Sequence, residues 1–93
     1  MAIQSFKCKD TKALFERSLP KRFVNIESVA RCKLEQLNMA GCLNDLRIPP
    51  GNLLEALLND RAGQHSIRIN DQWRVCFVWR DGEVFEVEIV DYH

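Results

Sequence analysis

Apolar and polar residues alternate through Ile3-Gln4-Ser5-Phe6-Lys7, which predicts a short first strand. The period then lengthens. Asp10 or Thr11 can cap a helix that holds Ala13, Leu14 and Phe15, with Arg17 near its end, before Leu19-Pro20-Lys21-Arg22 breaks the pattern. A second helix is expected from about Asn25. Its stripe is Ile26, Val29, Ala30, Leu34, Leu37 and Ala40, and Gly41 suits the position just past its end. This stripe reads as core, not as a binding groove.

Residues 42–63 are less regular. Ile48-Pro49-Pro50-Gly51 imposes an extended segment and a turn. Asn52-Leu53-Leu54-Glu55 resembles a capping box, so a short helical turn is expected, with Leu54, Leu57 and Leu58 reaching the core. Asn59 to Gly63 turns the chain into three strands: His65–Ile69, Trp73–Arg80, and Glu83 to about Tyr92. Asp81-Gly82 is a strong hairpin signal, because a type I′ turn needs positive φ at both central residues.

An undisturbed register from Asp81-Gly82 pairs Arg80 with Glu83, Val78 with Phe85, Cys76 with Val87 and Arg74 with Ile89. The expected core face is then Ile67, Ile69, Cys76, Val78, Phe85, Val87 and Ile89. The other face carries Ser66, Arg68, Trp73, Val75, Phe77, Trp79, Glu86, Glu88 and Tyr92. That mixture of aromatic, basic and acidic groups points to a surface that binds something. In this register Arg74 lies on the core side, capping it with its head in water.

Composition narrows the class. With 93 residues, 46% hydrophobic and 28% charged, residues 1–93 read as one ordinary soluble domain. No apolar run is long enough to span a bilayer, and Met1 to Phe6 lacks the pattern of a secretory signal, so no membrane association and a cytoplasmic protein are expected. Cys8, Cys32, Cys42 and Cys76 lack metal-ligand spacing relative to one another and to His65 and His93, so no metal is assigned. The net charge is zero but uneven. Residues 55–93 hold eight acids and four bases, all arginine: Arg61, Arg68, Arg74 and Arg80. Holding RNA would therefore depend on placed arginines or a basic patch, not on bulk charge.

Arg61-Ala62-Gly63, Ser66-Ile67-Arg68-Ile69-Asn70, Trp73-Arg74 and the ending Asp91-Tyr92-His93 stand in an order that resembles the HigB-type toxins of bacterial toxin–antitoxin pairs. The resemblance covers essentially the whole chain. It implies an α+β, RelE-like fold, with a short N-terminal strand and two helices packed on one face of a small, mainly antiparallel sheet. It also implies cleavage of messenger RNA in the ribosomal decoding site, with no cofactor or metal. The implied partners are the ribosome with its mRNA and an antitoxin bearing a helix-turn-helix DNA-binding domain, through which alone the toxin meets operator DNA.

Metal-free cleavage by an attacking 2′-hydroxyl needs a base, cations for the phosphorane and an acid for the leaving oxygen. His93 suits proton transfer because imidazole titrates near neutrality. Arg74 and Arg68 suit phosphate clamping. Tyr92 can donate a hydrogen bond or stack on a base, and Asp91 can orient His93 or an arginine. Arg61 and Asn70 are candidate RNA contacts. Each has a plainer reading: His93 as a frayed end, Arg68 as a cation–π partner of a nearby aromatic, Trp73 and Trp79 as packing residues. The chain also departs from the family pattern. Glu55 stands where some members carry a second histidine, and Asn70 where they carry a strand-end arginine. Either Glu55 takes the base role or His93 works with the arginines. A RelE-like module that has lost catalysis and acts as an antitoxin-bound co-repressor is the alternative, followed by a generic small α+β RNA-binding domain.

Overall fold

The computed structural model describes residues 2–91. Helix α1 spans Lys9–Phe15 and α2 spans Glu27–Met39, with a 3-10 segment, Lys21–Ile26, leading into α2. Strands β1 (Glu55–Ala56), β2 (His65–Arg68), β3 (Trp73–Arg80) and β4 (Glu83–Asp91) form an antiparallel sheet in the order β1-β2-β3-β4. The N-terminal segment runs parallel to β4 through bridges at Ile3 and Phe6. Gln4 N–H donates to Val84 O at 2.7 Å and Lys7 N–H to Val87 O at 3.0 Å. This is the α+β, RelE-like arrangement expected.

The α2 stripe packs as its spacing predicts. Ile26, Ala30, Leu34 and Leu37 are buried with Leu14 and Phe23 against Ile67, Val75, Phe77, Val84, Val87 and Ile89. Val29 is the exception at 45% exposed, and Leu58 reaches solvent rather than the core. The expected helical turn at Asn52–Glu55 is not formed. The 3-10 turn covers Pro50–Asn52 instead, Leu53 is left-handed (φ 46°), and Glu55 enters β1 opposite Ser66. Asn52 is fully buried as the polar knot of this region. Its amide donates to Leu46 O at 3.0 Å and to Gln36 Oε1 at 3.2 Å, and its side-chain oxygen accepts from Lys33. An asparagine so engaged has no side chain left to cap a helix.

The sheet departs from the undisturbed register twice, and both departures concern β3. Between β2 and β3 the turn is longer than two residues: Arg68 pairs with Arg74 and Ile67 with Val75. The Asn70 side-chain oxygen accepts from the N–H groups of both Gln72 and Trp73 at 2.8 Å, which closes this wider turn. Between β3 and β4 the Asp81-Gly82 hairpin forms with positive φ at both residues, and Val78 pairs with Phe85 as expected. A β-bulge follows: Cys76 pairs with Glu88, not with Val87, so β4 carries one extra residue. Glu86 sits there at φ 52°, and its N–H donates to Ser5 Oγ at 3.0 Å.

Because side chains alternate faces along a strand, each shift inverts β3 relative to its neighbour. The core face is therefore Val75 and Phe77 with Ile67, Val84, Val87 and Ile89. Val78 and Phe85, expected in the core, lie on the opposite face and are half-buried, with Arg80 stacked 4.9 Å from the Phe85 ring. Cys76 also moves to that face, although it stays fully buried. Trp73 and Trp79 pack against the core, Trp73 edge-on to Phe23 at 5.7 Å.

The N-terminal residues hold the outer edge of β4. Thr11 is fully buried, and its hydroxyl accepts the Ile89 N–H at 3.0 Å. Thr11→Val strands that buried donor and should lower unfolding free energy by about 1–3 kcal/mol, read from urea denaturation; an unchanged midpoint would rule the clamp out.

His65 is half-buried and stacked on Phe77, ring centroids 6.1 Å apart. Burial, with the Arg47 charge as a smaller cause, holds its pKa below the ordinary 6.5. The unfolded chain thus takes up a proton that the folded ring resists. This contribution to stability is complete above pH 6.5 and is lost as pH falls below it. His65→Phe should lose less stability than the parent between pH 7.5 and 5.5; equal losses in denaturation midpoint would contradict this.

Candidate active site

The inversion of β3 moves Arg74 off the core side to the opposite face of the sheet, where it is half-buried and its Nε and Nη1 are shielded from solvent. There it stands directly opposite Arg68. Cross-strand partners hold their Cβ atoms roughly 4.5–5.5 Å apart, and like charges so placed cost stability, on the order of 0.2–1 kcal/mol. Arg68 is partly compensated by an ion pair to Asp71, itself almost fully exposed. Arg22 stands 5.8 Å from the Trp73 ring.

A second row crosses all four strands beside the arginine pair. Glu55 pairs with Ser66, Ser66 with Cys76, and Cys76 with Glu88. Glu55 is exposed at the sheet edge, while Ser66 and Cys76 are fully buried. Arg61 Nη1 donates to Glu88 Oε1 at 2.8 Å and to Gln64 Oε1 at 3.2 Å, and Lys7 Nζ lies 3.8 Å from the same Glu88 oxygen. Burial pushes the Cys76 thiol up. The charges of Arg61, Glu88, Arg74 and Lys7 act on it as smaller causes.

Asp91 ends β4 opposite Trp73, one residue from Arg74, and its Oδ2 accepts from Gln72 Nε2 at 3.1 Å. Arg61, Arg68, Arg74, Glu55 and Asp91 thus belong to one face or end of the sheet. Asn70 lies at the same end, but its side-chain oxygen is engaged with its own turn. His93, expected to carry proton transfer, and Tyr92, expected to donate a hydrogen bond or stack on a base, lie outside the described residues. Lys7, Gln72 and Glu88 join the site unannounced by the sequence. Glu88 falls on the face expected of it, but its partner Arg61 is 27 residues away and no local pattern links them.

These features define a class: a small α+β domain with arginines gathered on one face of an antiparallel sheet. Solved structures of that fold are similar to this one. The YoeB–YefM complex from Staphylococcus aureus gives a TM-score of 0.61 at 18% identity, covering 98% of this chain and 94% of that one. YafQ from E. coli strain BL21(DE3) gives 0.58 at 15% identity, covering 96% and 90%. Sequence comparison is more specific. Residues 4–93 match the model of the HigB-like toxins, described as the RelE-like toxin HigB of type II toxin–antitoxin systems. Toxin HigB-1 of Vibrio cholerae serotype O1 is 42% identical over 84 residues, 88% of this chain and 87% of that protein. Endoribonuclease HigB of Proteus vulgaris is 31% identical over 93 residues, 98% and 99% of the two chains. The chain belongs to the HigB-like toxin family.

Asn70→Ala removes the acceptor that closes the Arg68–Arg74 turn and should cost about 1 kcal/mol, whereas Asn70→Asp keeps the acceptor and the stability. Thermal unfolding of both variants checks this; equal stability of Asn70→Ala and the parent would leave Asn70 as a surface contact only.

Proposed function

We propose that this toxin is an endoribonuclease that cleaves messenger RNA on the ribosome without a metal ion. The observation that carries the reading is the Arg68–Arg74 pair. Two guanidinium side chains on directly paired strand positions can meet one phosphodiester together. Arg61 adds a third cation on the same face. The name of the Proteus vulgaris relative, an endoribonuclease, supports the same chemistry.

Cations, base and acid are all available as side chains. Arg68 and Arg74 stabilise the phosphorane. His93, tethered two residues beyond Asp91, serves proton transfer, with Tyr92 donating to or stacking on the substrate. Glu55, a carboxylate on the exposed edge of the same face, is the candidate base for the 2′-hydroxyl. Asp91, held by Gln72, orients its neighbours rather than meeting phosphate. In the cytoplasm a helix-turn-helix antitoxin would hold the toxin and carry it to operator DNA. The test is expression without a partner, with growth and transcript ends followed in wild type, His93→Ala and Arg74→Ala. Growth arrest with new in-frame mRNA ends, reduced at least about a hundredfold by either substitution, is expected. Neither toxicity nor cleavage in the wild type would leave a co-repressor module in its place.

A further inference from the structure

Arg61 precedes β2, whereas Glu88 lies on β4, so β2 and β3 separate them in the sheet. The two side chains nevertheless meet, Arg61 Nη1 donating to Glu88 Oε1 at 2.8 Å, which joins the segment before β2 to β4. Neighbouring strands are about 4.8 Å apart. The floor is Ser66 and Cys76, both small and both fully buried on the otherwise open face. Glu88 itself is largely covered, its side chain 15% exposed, and it also faces Lys7.

We infer that Glu88 is a positioning residue for RNA cleavage: it holds Arg61 across the sheet, beside Arg74, so that a third cation meets the scissile region. The inference rests on the endoribonuclease reading for its chemistry, but the arm itself is a separate claim. A flexible arginine loses rotamer freedom when it meets phosphate; an arm already held across the sheet by a carboxylate has lost it beforehand. Glu88 does not touch substrate. It acts through Arg61.

A double-mutant cycle of Arg61→Ala and Glu88→Ala tests this, with Glu88→Gln as the conservative variant. Two readouts are needed: the rate of mRNA cleavage on ribosomes, and the affinity of the purified protein for a short single-stranded RNA over a range of salt. Each alanine variant alone is expected to lower both by about tenfold, and the double variant by no more than about twofold beyond either. Glu88→Gln, whose amide oxygen still accepts from Arg61, should recover most of the loss. Arg61→Ala should flatten the salt dependence of binding, and Glu88→Ala should do so in part. Additive losses in the cycle, or faster cleavage in Glu88→Ala, would overturn the inference; the second result would make Glu88 a mask on Arg61. If the wild type does not cleave, the nuclease reading fails, and the binding cycle still decides whether Glu88 acts through Arg61.

Discussion

The register of β3 is the constraint on which the site depends. β3 is paired on both sides, and a slip of one residue exchanges its faces completely. In the observed register Val75 and Phe77 enter the core, while Arg74 comes out beside Arg68. In the undisturbed register the arginine would cap the core and face away from its partner. Core packing and the charge cluster are therefore two consequences of one choice of hydrogen bonds.

Two local devices maintain that choice, one at each flank of β3. Asn70 closes a wide turn by accepting two backbone N–H groups, which puts Arg74 rather than Trp73 or Val75 opposite Arg68. On the other flank the bulge at Glu86 absorbs one residue of β4. Its left-handed backbone is unfavourable for glutamate, and Ser5 accepts the exposed N–H there. The N-terminal segment, with Thr11 behind it, thus holds the strand that leads to Asp91. The first residues of the chain and the last strand form one mechanical unit.

The electrostatics follow the same logic. A protein of zero net charge concentrates Arg61, Arg68, Arg74 and Lys7 over one sheet face, with Glu88 among them. A core of fifteen buried apolar residues among those described carries the stability of the fold in a chain of this length.

Much of this was legible in the residues themselves. Helical spacing located the buried stripe of α2, the Asp81-Gly82 pair located the last hairpin, and alternation placed Ile67, Val87 and Ile89 inward, because each depends on neighbours a few residues away. The toxin family was legible in the order of its motifs, and the family model matches residues 4–93. Tertiary structure decided which face β3 shows, since a bulge capped by Ser5 from 81 residues away leaves no periodic trace. It also decided that Glu55 belongs to a strand rather than a helical turn, because the Asn52 side chain is spent on Lys33, Gln36 and Leu46. The partnership of Arg61 with Glu88 was likewise decided only in three dimensions. It spans a sheet, and pairing across strands is chosen by packing, not by sequence distance.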